Sequence, residues 1–311
     1  MIPRLRTLVF SFLLPLAAAL TGCTGDDGAE TGDVQIFVEP EDSIPNGIQA
    51  GEGDEDIADG WTVTYDRFLV TLGNVRAARS DTGDKIGDPA VHILDLMRAP
   101  AGGYVIADFT GVAAARWDRF GFDLPNAAAG AALVAPTAQA DADLLIQGGY
   151  AVYFEGSIEK AGGESCPPPG DTCVAAPRIT FRWGLPAGTS FDDCATEDGF
   201  TGFAVPAGGA VQVKPTIHGD HWFFSNITGG VELTKRYAQY IADSDLDGDG
   251  ETTLDELKQV DAAAVFPSPK YSLSGALGGP ILTAYDYVLA QSRTLGDFQG
   301  DGECPTRAVL P

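Results

Sequence analysis

The residues with the clearest chemical potential are acidic and closely spaced. The stretch DSDLDGDGETTLDEL, residues 243–257, places seven acidic side chains among fifteen residues. Such crowding is unfavourable unless a positive charge compensates it. Asp245, Asp247 and Asp249 alternate with other residues, so a tight turn would point their carboxylates inward. Ca²⁺ prefers six to eight hard oxygen ligands of this kind. The spacing therefore predicts a calcium-binding loop.

Residues 245–256 resemble the EF-hand calcium loop, D-x-D-x-D-G-x5-E, and they lie between two helical patterns, which is the context of that motif. Gly250 would permit the sharp turn of such a loop. By this resemblance the calcium ligands are Asp245, Asp247, Asp249, Glu251 through its backbone carbonyl, Thr253 directly or through water, and Glu256 as the bidentate closing ligand. The resemblance implies Ca²⁺ as the cofactor. A site outside the cytoplasm needs only modest affinity, which favours a structural rather than a sensing role.

The sequence departs from the EF-hand pattern at the eighth loop position. Thr252 stands where an aliphatic residue usually pairs with a sister loop. A second, incomplete loop of the same pattern has Asp297, Gln299 and Asp301 at its first, third and fifth positions. Its twelfth position is Ala308, which cannot close a calcium shell. The alternative interpretation of residues 297–302 is an acidic tail held by a disulfide.

A second candidate metal set is His218, Asp220 and His221, in the run TIHGDHWFF. Gly219 within a β-rich run indicates a turn or bulge that would aim both imidazoles at one point. Histidine together with carboxylate suits zinc, copper or iron. The alternative is a pair of structural polar groups. His92, in AVHILDL, is interpreted as a core or edge residue of a strand.

The start of the chain is typical of an export signal. Arg4 and Arg6 precede an uncharged apolar run, residues 7–19, which is too short to span a membrane comfortably. The following Leu-Thr-Gly-Cys resembles the bacterial lipobox, which implies lipidation and cleavage at Cys23. We therefore expect a lipid-anchored envelope protein outside the cytoplasm. Thr24 is not the aspartate that retains many such proteins at the inner membrane, which favours the outer membrane.

Composition agrees with export. The formal net charge is −25, which argues against nucleic-acid partners. Besides Cys23 there are four cysteines, an even number that indicates two disulfides in an oxidising compartment, with three connectivities open. We favour Cys166 with Cys173 and Cys194 with Cys304. A four-thiolate metal site is less favoured because CxxC spacing is absent.

The chain divides into four predicted parts. These are a signal peptide (1–22), an acidic tether (23–33), an antiparallel β-sandwich or barrel-like body (34–229) and a C-terminal helical EF-hand module (230–311). Period-two alternation predicts strands in the runs 34–40, 60–78, 90–96, 114–125, 148–160, 177–186 and 208–224. Helical spacing of apolar residues appears in 229–245, 253–266 and 281–296. The predicted fold class is therefore α+β.

The motifs of hydrolases, zinc proteases, nucleotide-binding loops and dinucleotide-binding folds are absent from the sequence. We therefore predict a non-enzymatic binding or scaffolding protein that binds calcium at the envelope. The alternative is a transition-metal-binding protein, a metallochaperone or uptake accessory, using His218 and His221. A carboxylate-dyad hydrolase is a third hypothesis. The expected partner is the membrane, through the anchor, and a protein or glycan partner stays open.

Overall fold

The computed structural model describes residues 30–170, 172–227 and 234–309. The predicted signal peptide, Cys23 and most of the tether lie outside the described residues, so their predictions are untested by it. Within the described part of the chain, every helix is too short or too polar to cross a membrane.

Strands dominate the described residues. They are β1 (Thr31–Pro40), β2 (Thr62–Ala78), β3 (Lys85–Asp95), β4 (Tyr104–Ala113), β5 (Arg116–Trp117), β6 (Arg119–Leu124), β7 (Ala132–Leu133), β8 (Val152–Glu159), β9 (Glu164–Ser165), β10 (Val174–Ala175), β11 (Arg178–Leu185), β12 (Thr189–Phe191), β13 (Phe203–Ala204), β14 (Ala210–Val213), β15 (Pro215–Ile217), β16 (Glu251–Thr252), β17 (Gly296–Phe298) and β18 (Thr306–Ala308). Every run predicted as strand overlaps at least one of these elements.

The larger sheet is curled and has nine strands, in the order β16-β11-β8-β2-β6-β12-β18, with β3 pairing β2 and β7. Strand β2 is central, and it pairs antiparallel with β3, β6 and β8. Its sequence TVTYDRFLVTLGNVRAA is rich in β-branched and aromatic residues, which fit a pleated and buried surface. The middle of β2, from Phe68 to Gly73, is almost entirely buried, as expected for an interior strand.

A smaller, five-stranded sheet has the order β14-β1-β15-β17, with β4 pairing β1. One hydrophobic core takes side chains from both sheets. At its centre Trp222 stacks on Phe154 with ring centroids 4.0 Å apart, and Phe68 and Tyr65 contact the same ring system. Trp222 follows His221 directly, so the core fixes the position of this histidine's backbone.

Helices are short. They are α1 (Ser43–Asn46), α2 (Gln139–Gly148), α3 (Gln239–Ala242), α4 (Leu254–Leu257), α5 (Ala262–Val265) and α6 (Ala284–Gln291). The prediction of an α+β protein with a C-terminal helical EF-hand module is therefore wrong, and the described protein is mostly β. Some of the apolar residues at helical spacing are buried, such as Leu257, Val260 and Val288, whereas Leu282 is 66% exposed. Turns, and Pro267 directly after Phe266, limit α3, α4 and α5 to about one turn each.

The C-terminal region also supplies strands to the sheets of the body. Strand β17 pairs with β15, β18 with β12, and β16 with β11. The disulfides Cys166–Cys173 and Cys194–Cys304 are both present, which confirms the favoured pairing. The second of these joins the end of the chain to the segment after β12.

Candidate metal centres

Three side chains after β15 form a buried group that could hold a metal ion: His218, Asp220 and His221. His218 follows β15 directly, and its backbone N–H donates to the Leu295 carbonyl at 3.0 Å. A 3₁₀ turn, His221–Phe223, then brings His221 back towards His218, with ring centroids 5.1 Å apart. The predicted turn at Gly219 is confirmed, and it brings the two imidazoles together.

Gly219 is required by close packing. A Cβ at this position would lie 2.7 Å from Ile44 Cγ1 and 3.0 Å from Ser43 Oγ. Its N–H donates to Ser43 Oγ at 3.0 Å, and its carbonyl accepts from the Tyr65 hydroxyl. The turn is therefore held from both sides by buried groups of the body.

The donor atoms of the group converge. His218 Nδ1 lies 3.8 Å from Asp220 Oδ1, and His221 Nε2 lies 4.0 Å from the same oxygen. One ligand atom from each of the three side chains lies within 4.8 Å of the others. Separations of this size leave room for an ion bound at about 2.0–2.2 Å from each donor.

The two oxygens of Asp220 have different surroundings. Oδ2 accepts hydrogen bonds from Arg236, including one from Nε at 2.7 Å. Oδ1 is buried and has no hydrogen-bond partner among the described residues. Because an unpartnered buried carboxylate oxygen is costly, it indicates that a cation or donor belongs beside it.

Burial sets the protonation of this centre. It lowers the pKa of His221 to about 3, so that imidazole is neutral at physiological pH. Burial would also lower the pKa of His218, but the carboxylates of Asp297, Asp220 and Glu41 outweigh it and raise the pKa. Burial raises the pKa of Asp297 to about 7. A neutral imidazole is the form that binds metal.

The centre lies in the wall of a cavity of about 1170 Å³. Its lining includes many carboxylates: Glu41, Asp42, Glu55, Asp56, Asp220, Asp297, Asp301 and Glu303. Arg236 is the only lysine or arginine among the described residues that line this cavity. The electrostatic field of such a cavity favours cations.

The acidic loop places three of its predicted ligands together: Asp245, Asp247 and Glu256. Asp245 is 2% exposed and accepts hydrogen bonds from the N–H groups of Gly248 at 2.9 Å and Gly250 at 3.1 Å. Burial raises the pKa of Asp245, and the neighbouring Glu256 carboxylate raises it further. A cation bound among these carboxylates would relieve that repulsion.

The other predicted ligands of the loop do not join this group. Asp249 is exposed, and its Oδ1 accepts from the Glu251 N–H at 2.8 Å. Thr253 caps α4, in a capping box with Glu256. Glu251 lies in β16, where it pairs with Thr180.

Strand β16 explains the unusual Thr252. In place of a sister loop, β16 pairs parallel with β11, with Thr252 opposite Phe181. The Thr252 hydroxyl donates to the Ile241 carbonyl at 2.6 Å, and its own carbonyl accepts from Trp183 Nε1 at 2.7 Å. The Thr252 side chain at the eighth position therefore binds α3, and β11 pairs with the loop in the way that a sister loop would.

The second, incomplete loop has a different role in the structure. Asp297 lies in β17 beside the histidine pair, with Oδ2 3.1 Å from His218 Nε2. The chain turns tightly between Phe298 and Gly302 and is then fixed by Cys304. Asp297 and Asp301 belong to no metal-capable group among the described residues, and the segment is held by the Cys194–Cys304 disulfide.

His92 lies in β3, opposite Leu72 of β2, as expected for a strand residue. Sequence reasoning missed three residues around the histidine pair: Arg236, Thr294 and Asp297 as a neighbour of His218. Thr294 Oγ1 lies 2.8 Å from His221 Nδ1. All three are distant in sequence from His218 and His221, and no local pattern marks them.

Comparison with known proteins gives little. No protein-family model matches the chain, and no curated protein matches it. Among solved structures, MbnP from Methylosinus trichosporium is similar to 67% of this chain and 82% of its own, at 11% sequence identity and a TM-score of 0.28. A likeness this weak supports no inference about fold or function.

Proposed function

We propose that this protein binds a transition-metal ion through His218 Nδ1, His221 Nε2 and Asp220 Oδ1. The observation that supports it most is the buried Oδ1 of Asp220, which lacks a hydrogen-bond partner among the described residues and lies about equally far from both imidazoles. Two nitrogen donors and one carboxylate suit zinc, copper or iron better than calcium.

The number of protein donors supports a carrier role. Structural zinc sites usually have four protein ligands, whereas sites that exchange ligands keep an open position. Three donors at the wall of a large cavity fit the second type. We therefore propose reversible loading, as in a metallochaperone or an accessory to metal uptake.

Metal titration of the purified protein tests this proposal. We expect one Zn²⁺ or Cu²⁺ per chain. His218→Ala and His221→Ala should each weaken binding by at least about 100-fold, more than the loss of an outer partner, which costs about 10–100-fold. His92→Ala is the matched control, because His92 is outside the cavity wall. Equal binding by wild type and both variants would overturn the proposal.

We propose a second, calcium site in residues 245–256. It is supported by Glu256, whose two oxygens accept from the N–H groups of Leu246 and Thr253 at 2.9 and 2.8 Å, so that the carboxylate closes the loop beside Asp245 and Asp247. This ion would stabilise the contact between the loop and β11. An affinity on the order of 10⁻⁴ to 10⁻³ M is sufficient outside the cytoplasm.

Thermal unfolding with calcium and with chelator tests the second site. Calcium at ten times its Kd should stabilise the protein by about 1.4 kcal/mol, because only the native state binds. Glu256→Gln should remove this effect. Asp255→Asn is the control, because the Asp255 side chain is 87% exposed and belongs to none of the metal-capable groups found among the described residues. A wild type that calcium does not stabilise would contradict the site.

We also propose that the protein is lipid-anchored at Cys23 on the outer membrane. The lipobox-like sequence supports the anchor, and the two disulfides support an oxidising compartment. Mass spectrometry of the N-terminal peptide should find a diacylglycerol-modified Cys23. Cys23→Ser should release the protein from the membrane fraction, and an unmodified Cys23 in envelope-purified protein would contradict the anchor.

A further inference from the structure

We infer that Thr294 is the positioning residue that determines which nitrogen of His221 faces the metal; the inference rests on the proposed transition-metal site. Thr294 follows α6 and lies half-buried at the cavity wall. Its Oγ1 lies 2.8 Å from His221 Nδ1 and 2.8 Å from the Gln291 carbonyl oxygen.

The direction of these two hydrogen bonds follows from the number of protons. A threonine hydroxyl has one hydrogen, and a carbonyl oxygen can only accept. The hydroxyl of Thr294 therefore donates to Gln291 and has only lone pairs left for His221. Nδ1 of His221 must then carry the ring proton and donate it to Thr294. In the neutral ring Nε2 keeps its lone pair, and this nitrogen faces Asp220 Oδ1.

The Gln291 carbonyl, which accepts the hydrogen bond from Thr294, is held in a fixed position. Gln291 is the last residue of α6, where the carbonyls lack partners within the helix. Its side chain is 1% exposed and donates to the Asn226 carbonyl at 2.9 Å. Thr294 is thus anchored to a helix end that is itself fixed to the segment after the histidine turn.

The other histidine has no equivalent relay. His218 Nε2 lies 3.1 Å from Asp297 Oδ2, an ion-pair distance, but it has no hydrogen-bond partner among the described residues. His221 is therefore the fixed ligand of the pair. Outer hydrogen-bond partners that fix a tautomer in this way typically contribute about 10–100-fold to metal affinity.

Long-range ¹H–¹⁵N NMR of the metal-free protein tests the tautomer directly, and with three histidines in the chain the assignment is simple. We expect His221 to be the Nδ1–H tautomer in the wild type and in Thr294→Ser, which keeps the hydroxyl. Thr294→Val removes it and should give a mixture of tautomers. A wild-type His221 that is protonated at Nε2, or already mixed, would overturn the inference.

Cu²⁺ titration with electron paramagnetic resonance gives the second readout. Thr294→Val should bind Cu²⁺ about 10–100-fold more weakly and with altered g values, whereas Thr294→Ser should match the wild type. Unchanged affinity and spectrum in a folded Thr294→Val would overturn the inference. If Thr294→Val does not fold, the wild-type tautomer and Thr294→Ser decide. A wild type that does not bind Cu²⁺ or Zn²⁺ overturns the proposed function instead, while the tautomer result still decides the role of Thr294.

Discussion

The two metal-capable regions of this protein are built in opposite ways. The acidic loop takes all its donors from twelve consecutive residues, 245–256. The histidine centre takes its donors from residues 218–221 and its supporting groups from Arg236, Thr294 and Asp297. A site within one loop can be recognised from the spacing of its ligands in the sequence. For a site assembled from separate segments, only the ligands that are close in sequence can be recognised.

The two regions also differ in charge. At the histidine centre Arg236 balances Asp220, and both side chains are less than a tenth exposed. The loop has Asp245, Asp247 and Glu256 together, with no lysine or arginine paired to them among the described residues. We therefore expect a borderline transition metal at the first region and a hard ion such as Ca²⁺ at the second.

The largest expected effect comes from Arg236→Met. Removing Arg236 leaves the buried Asp220 carboxylate uncompensated, which should destabilise the metal-free protein by about 3–5 kcal/mol. Zn²⁺ should restore much of this loss, because the ion replaces the missing positive charge. Arg178→Met is the control, since the Arg178–Glu159 pair is exposed and contributes about 0–1 kcal/mol. Equal melting temperatures for the two variants would contradict this account of the centre.

The second largest effect should be the pH dependence of transition-metal binding at the histidine centre. The raised pKa of His218 means that protons compete with metal already above pH 6.5, whereas His221, with a pKa of about 3, is neutral there. Transition-metal affinity should therefore fall by about tenfold per pH unit below the pKa of His218, the slope for one displaced proton. Titrations at several pH values measure this slope. A metal affinity that does not change with pH across this range would contradict the assignment of His218 as a ligand.

A smaller effect is expected from Thr252→Val. The substitution supplies the aliphatic residue usual in EF-hand loops but removes one donor to the Ile241 carbonyl, which also accepts from the Ser244 N–H at 3.2 Å. We expect a loss of about 0.5–1.5 kcal/mol in the free energy of unfolding, measured by chemical denaturation. An unchanged or higher stability would show that the loop does not depend on this contact.

The smallest effect should come from Asp249→Asn. Asp249 is exposed and lies outside the group formed by Asp245, Asp247 and Glu256, so calcium affinity should fall by only about 3-fold, in the range of an exposed charge. Asp247→Asn should weaken calcium binding more. Calorimetric titration of both variants measures the difference, and the reverse order would show that the loop closes around calcium in a different arrangement.

The strands of the body were predictable because burial on one or both sheet faces leaves a pattern in the sequence. Alternation identified β2, β8 and β11, which are long and central. It missed β4, in which Asp108 and Thr110 interrupt the apolar residues and which, within the described part of the chain, pairs with β1 alone. The prediction of a helical module was wrong because the segments with apolar residues at helical spacing form single helical turns and loops that pack against the core.

The candidate sites were predictable to the extent that their donors are neighbours in sequence. The pair His218 and His221 was identifiable from one turn, and so was the group around Asp245. The sequence left residues 297–302 as either an incomplete calcium loop or a disulfide-held acidic tail, because only the local acidic spacing is visible there. The contact of Asp297 with His218 was missed because it depends on the pairing of β17 with β15. Long-range strand pairing of this kind leaves no signal in a short segment.

Metal content of the protein purified from its native source, without added metal, tests the central claim most directly. The account predicts close to one zinc, copper or iron ion per chain, retained through dialysis, and its loss in His221→Ala. It also predicts that calcium is removed by the same dialysis. A wild type that contains no transition metal and takes up none on addition of Zn²⁺ or Cu²⁺ would contradict the account.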